Sequence, residues 1–130
     1  MIVVRDIKLS RDFSLSEFAC RDERRSVYVD AELVERLQVL RDYFKRPVVI
    51  TSGYRSKEYN RRVGGADGSQ HLEGRAADIK VIGVGMEEIA RAAVKAGFRG
   101  IGIYGSFVHV DVRKNLVNGA GRPYDIWRVR

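Results

Sequence analysis

The chain holds two histidines, His71 and His109, and each lies near an aspartate at a spacing that chemistry can use. In Phe107-Val108-His109-Val110-Asp111-Val112, strand alternation puts the three valines on one face and His109 with Asp111 on the other. The valines belong in a core, so the imidazole and the carboxylate face a cleft. In Ala76-Ala77-Asp78-Ile79-Lys80-Val81, the core positions are Ala77, Ile79 and Val81, and Asp78 points away with Ala76 and Lys80. The small alanines beside Asp78 leave room for a close neighbour. His71 precedes it by seven residues, with Gly74 between them to let the chain turn. Two histidines and one carboxylate form a common ligand set for catalytic zinc, which leaves a fourth position to water and lowers that water's pKa to about 7. On residue types and spacing alone, a zinc site and two unrelated histidines on a basic protein stand level.

Longer motifs break that tie. The segment Ser69-Gln70-His71-Leu72-Glu73-Gly74-Arg75-Ala76-Ala77-Asp78 carries S-x-H-x-x-G-x-A-x-D, and so resembles the zinc D-Ala-D-Ala carboxypeptidases and their murein-peptidase relatives. His109-Val110-Asp111 resembles the late histidine strand of that family, and Thr51-Ser52-Gly53-Tyr54-Arg55-Ser56 its S-G-Y-R segment. Phe18-Ala19-Cys20 and Val63-Gly64-Gly65-Ala66 are similar as well, so the resemblance runs from about residue 13 to 113. It implies an α+β fold, with helices packed on a small antiparallel sheet, related to the hedgehog signalling domain and the vancomycin-resistance D-alanyl-D-alanine dipeptidases. It also implies Zn2+ held by His71, Asp78 and His109, with Arg55 as a cation beside the reacting peptide. A fixed guanidinium there binds a substrate carboxylate bidentately or stabilises a developing oxyanion. Ser69 reads as a hydrogen-bonding support or a plain turn residue, and Gln70 as a substrate contact.

The implied activity is hydrolysis of peptide bonds in peptidoglycan stem peptides, by a D,D-carboxypeptidase or an endopeptidase. The general base is where the sequence departs from its relatives. Many of them carry a glutamate three residues before the last histidine, where this chain has Ser106, and others use an upstream histidine that this chain lacks. Asp111 remains, either as the acceptor of the water's proton or as the partner that holds a ligand imidazole. Glu73 is a weaker candidate. Hedgehog domains show that such a zinc site need not be a peptidase, so a non-catalytic, zinc-stabilised wall-binding or phage structural module is the alternative.

The elements that must position these residues can be read in turn. Ser14 and Glu17 form a capping box for a short helix. Asp30 caps a longer one through about Phe44, with Leu33, Leu37, Leu40 and Phe44 on one stripe, and Pro47 forbids its continuation. Val48 to Thr51 reads as a buried strand and Ser56 to Val63 as a short helix. Ala76 to Val81 reads as a strand, and Met86 to Ala96 as a helix closed by Gly97. Gly100 to Tyr104 and Phe107 to Val112 form a hairpin about Gly105-Ser106. The tail, 114–130, folds back, with Tyr124 and Trp127 either on the core or lining a wall-binding surface.

The length, 130 residues, and 45% hydrophobic content fit one domain spanning 1–130. A net charge of +7 favours a polyanionic partner. The basic residues are scattered, which argues against nucleic acid and suits peptidoglycan. The lone Cys20 excludes an internal disulfide and reads as a buried small residue. Met1 to Ser10 lacks the apolar run of a signal peptide and no stretch suits membrane insertion. The expectation is therefore a monomer, cytoplasmic when synthesised and released by lysis or carried on a virion, as for a phage or prophage endolysin.

Overall fold

The structure is a computed structural model that describes residues 6–130. Near the start, the Ser14 N–H donates to the Glu17 carboxylate at 2.6 Å, which supports a single 3₁₀ turn, Leu15–Phe18. Helix α1, Ala31–Phe44, opens at Asp30, whose side chain accepts from the Glu32 N–H at 2.8 Å. It buries Leu33, Val34, Leu37 and Leu40, and ends at Lys45 in the left-handed region. The remaining elements are β1 (Val48–Ser52), α2 (Lys57–Arg62), a 3₁₀ turn Gln70–Glu73, β2 (Ala76–Val81), α3 (Met86–Lys95), β3 (Gly100–Ile103), β4 (Val108–Asp111) and β5 (Asp125–Arg128). Among the described residues no helix is long and apolar enough to cross a membrane.

The five strands form one sheet in the order β1-β2-β4-β3-β5. The first four pair antiparallel, as expected, but β5 joins β3 in parallel, so the sheet is mixed. The tail therefore contributes a strand that the sequence reading does not contain. Asp125-Ile126-Trp127-Arg128 is a single four-residue edge strand whose Ile126 is partly exposed. Such a short segment carries too little alternation to announce itself.

Helices α1 and α3 cover one face of the sheet. Ala77, Ile79, Val81, Ile101, Val108, Val110 and Val112 are all buried on that side, with Leu37, Leu40, Ile89, Ala93 and Phe98 packed among them. Each fully buried large aliphatic or aromatic side chain contributes about 1.5–3 kcal/mol. The apolar face therefore supplies the stability that lets the opposite face carry polar groups.

Arg99, just before β3, ties this layer together. Its guanidinium donates to both Glu32 oxygens at 2.7 and 2.9 Å, and to the main-chain carbonyls of Val112 and Arg113 at 2.9 and 2.6 Å. The hydrogen bonds from Arg99 hold the Glu32 carboxyl below its ordinary value of 4.5. A carboxyl depressed on folding stabilises the protein above its unfolded pKa and loses that contribution as pH falls. Glu32→Gln should cost about 1 kcal/mol at neutral pH, the upper range for a half-exposed pair with bidentate geometry. Chemical denaturation of both proteins should show the difference closing as pH drops below 4.5.

Candidate metal centre and cleft

The face away from the helices is organised in two rows across the strands. One row runs Ser52, Asp78, His109, Gly102, Trp127, and the next runs Ala76, Asp111, Gly100, Asp125. The two β3 glycines serve as space. A Cβ on Gly102 would lie 2.7 Å from the Trp127 indole, and one on Gly100 would lie 2.3 Å from the Asp111 carboxylate. The expected alternation therefore holds at His109, Asp111 and Asp78.

His71 arrives from outside the sheet, on the Gln70–Glu73 turn. Ser69 Oγ accepts its N–H at 3.2 Å and so caps that turn. Gly74 ends it at φ 67°, where a Cβ would strike the Tyr28 carbonyl at 2.5 Å. The His71 Nδ1–H donates to the Gly53 carbonyl at 2.7 Å, which leaves Nε2 unprotonated and facing Asp78 Oδ1 at 3.1 Å. Gly53 can offer that carbonyl because its α-carbon lies flat on the Phe18 backbone, where a Cβ would lie 2.7 Å from the Phe18 oxygen.

His109 is oriented the other way round. Its Nε2–H donates to Asp111 Oδ2 at 2.8 Å, and its Nδ1 faces Asp78 Oδ1 at 3.0 Å. With both rings neutral, two imidazole lone pairs converge on one carboxylate oxygen, with all three ligand atoms within 4.8 Å of one another and all three residues buried. Acceptors facing acceptors in a buried site are costly unless a cation lies between them or a proton is added. His71 Nε2, Asp78 and His109 Nδ1 therefore fit a metal ion, and their types are those of a zinc site with an open position.

Without a cation, a proton on His109 is the other way to satisfy the cluster, and the electrostatics show that pull. Burial holds the His71 imidazole below its ordinary 6.5, despite the pull of Asp78. Burial acts the same way on His109, but hydrogen bonds to Asp111 and Asp78 outweigh it and raise its pKa. For Asp78, burial is overcome by the neighbouring imidazoles of His109 and His71, which in the metal-free protein donate to it when protonated and hold the carboxyl well below the usual range. Asp111 is depressed likewise, against burial, chiefly by Arg113 and His109. Both carboxylates are ionised at neutral pH.

The cluster opens into a cleft of about 480 Å³. Arg55, Ser69, Gln70 and Trp127 line it, as do Tyr104 and Phe107, which stack with ring centroids 4.4 Å apart. Arg55 is tied on three nitrogens: Nη2 to Asp78 Oδ2 at 3.1 Å, Nε to Ser52 Oγ at 3.0 Å and Nη1 to Asn60 Oδ1 at 3.2 Å. The Gln70 side-chain oxygen is buried and has no hydrogen-bond partner among the described residues. Tyr124 packs against the core.

Asp111 does not line the cleft. It is wholly buried and meets the far ring nitrogen of His109, and its oxygens accept from Arg113 Nε at 2.9 Å and Nη2 at 2.7 Å. Glu73 and Ser106 are both exposed. Asp78 is the one carboxylate among the described residues that line the cleft. The sequence reading missed Arg113, although His109, Asp111 and Arg113 continue one period-two polar series that marks it.

An α+β sheet carrying a buried His–Asp–His cluster that lines an open cleft defines a protein built to hold a metal ion with an open position. Residues 11–111 match the family model described as Peptidase M15, and the chain belongs to that family. This bears out the resemblance drawn from the motifs. Over 92 residues, 64% of this chain and 50% of the relative, it is 33% identical to Peptidoglycan L,D-endopeptidase MepK of Escherichia coli (strain K12). Over 64 residues, 48% of this chain and 25% of the relative, it is 38% identical to Zinc D-Ala-D-Ala carboxypeptidase of Streptomyces albus G. The chain thus spans half the length of the first of these curated relatives and a quarter of the second. Among solved structures it is similar to Serratia marcescens L-Ala D-Glu endopeptidase ChiX, at 26% identity and a TM-score of 0.44, over 53% of this chain and 62% of that one.

Binding of a metal by these ligands couples to folding, because it relieves the facing lone pairs. Zinc should raise the unfolding temperature of the parent protein and not that of His109→Ala, as read by calorimetry with and without added zinc.

Proposed function

We propose that the protein is a zinc metallopeptidase that hydrolyses an internal peptide bond in peptidoglycan stem peptides. The observation that carries this reading is the convergence of His71 Nε2, Asp78 Oδ1 and His109 Nδ1 at the cleft floor, in a chain of the Peptidase M15 family. When bound there, zinc supplies Lewis-acid chemistry, polarising a peptide carbonyl and lowering the pKa of water to about 7.

The chain's own residues do the rest. The stacked Tyr104–Phe107 pair and Trp127 form an aromatic wall against which an extended peptide can lie. Gln70, on the cleft wall, contacts the bound peptide. Arg55, held beside Asp78, presents its remaining N–H groups to negative charge developing on the carbonyl oxygen. Asp111 keeps the His109 tautomer that leaves Nδ1 free. Its burial and its Arg113 partner support that positioning role over the role of proton acceptor.

An internal bond is favoured over a terminal one by the state of the cleft cations. A carboxypeptidase must spend a cation on the terminal carboxylate. Arg55 and Arg113, the cations lining this cleft among the described residues, are both paired with aspartates. The relative named an L,D-endopeptidase supports the same choice. A net charge of +7 suits an anionic wall. Action as a monomeric phage or prophage endolysin belongs to this proposal, and is tested by sedimentation and by adding the protein to bacteria from outside.

Digestion of purified peptidoglycan, with mass identification of the products, tests the central claim. Fragments cut within the stem peptide are expected. Release of terminal D-alanine alone would make the enzyme a carboxypeptidase, and no release by zinc-saturated protein would sink the reading. Arg55→Lys keeps charge but loses the planar fork; turnover should fall about a hundredfold, the scale of losing one oxyanion donor, with zinc still bound. Asp111→Asn should weaken zinc binding about 10–100-fold and leave turnover near normal once zinc saturates. A loss of about 10²–10⁴-fold at saturating zinc would instead make Asp111 the base.

A further inference from the structure

We propose that the segment beyond the family match is a working part of the metal centre. In this proposal Asp125, acting through Arg113 and Asp111, is a positioning residue for His109. The inference rests on the zinc reading above and concerns residues past 111, where the family model ends.

The links are continuous, buried at His109, Asp111 and Asp125 and part-buried at Arg113. His109 Nε2 donates to Asp111 Oδ2 at 2.8 Å, and Arg113 Nη2 donates to the same oxygen at 2.7 Å while its Nε serves Oδ1 at 2.9 Å. Arg113 Nη1 then reaches Asp125 Oδ2 at 3.2 Å. Asp125 is itself fixed by the Val117 and Asn118 N–H groups and the Asn118 side-chain amide, each at 2.8 Å. Gly100 stands opposite both Asp111 on β4 and Asp125 on β5, so the sheet register brings the two carboxylates to either side of one arginine. Trp127 completes the clamp. Its ring lies 5.4 Å from the His109 ring and 5.0 Å from the Arg113 guanidinium carbon.

Each neighbour removes a freedom that His109 would otherwise have. Asp111 sets which ring nitrogen carries the proton, and the bidentate fork of Arg113 sets where Asp111 points. Asp125 sets where Arg113 sits, and Trp127 blocks rotation of the ring away from Asp78. A loop anchored only for its own stability would not need its carboxylate aimed at the arginine that serves a metal ligand. Partners one step beyond a ligand typically contribute 10–100-fold to metal affinity, and this chain extends that support by two further residues.

The test compares zinc affinity, by chelator competition, with the unfolding temperature of the zinc-free protein. Asp125→Asn and Arg113→Lys should each weaken zinc binding about tenfold, the lower end of what such partners contribute. The control, Glu87→Gln, breaks the exposed Arg128–Glu87 pair that holds the same tail to α3, and should leave zinc affinity unchanged. Should Asp125→Asn fail to fold, Arg113→Lys, which retains the buried charge, still decides the matter. Parent-like zinc affinity in the variants, whatever their unfolding temperatures, would overturn the inference alone. A parent protein that holds no zinc would overturn the metal reading and this inference with it.

Discussion

Asp78 lies buried with one carboxylate oxygen facing two imidazole lone pairs, and the design of the molecule follows from making that arrangement tolerable. An ionised carboxylate removed from water is costly unless its oxygens are satisfied. Here one oxygen meets the two histidines and the other meets Arg55. Each histidine is in turn held by its distal nitrogen, to the Gly53 carbonyl or to Asp111. Each of those anchors needs a close approach that only glycine permits, at Gly53 against Phe18 and at Gly100 against Asp111. A cation at the meeting point turns a cluster of mutually repelling acceptors into a satisfied one.

That cluster is affordable because the sheet divides its labour. The face under α1 and α3 is packed almost wholly with aliphatic side chains, and Arg99 binds α1 to the ends of β3 and β4. The other face is flanked by the Gly53–Gly74 stretch, with its short α2, on one side and by the tail on the other, and the cleft is lined by residues of both. Loops on a rigid sheet are where chemistry can be placed without disturbing the core.

Beyond His109 charge alternates outward from the metal cluster: Asp111, Arg113, Asp125. Buried ions are stabilised by such pairing, since breaking one link leaves an uncompensated charge. The series also explains why the cleft, although it contains two arginines, presents little free positive charge to a substrate. A surface rich in scattered arginine surrounds a site whose own cations are already committed.

The sequence by itself determined the local parts of this protein. Period-two alternation placed His109, Asp111 and Asp78 on the polar face, the Asp30 cap and leucine stripe placed α1, and the motif around Ser69 to Asp78 pointed to the ligand set. These features are readable because hydrogen bonding and side-chain direction repeat over a few residues. Three things were decided only by tertiary structure. Whether Asp111 faces the cleft or lies behind His109 depends on Arg113 and Gly100, neighbours that its own strand pattern does not reveal. The commitment of Arg55 to Asp78 joins residues 23 apart. The tail became a fifth, parallel strand because β3 had an open edge and Gly102 left room for Trp127. A strand is a half-finished object until its neighbour is known, and its neighbour here is chosen by register and by the volume of a missing side chain rather than by any pattern within Asp125–Arg128.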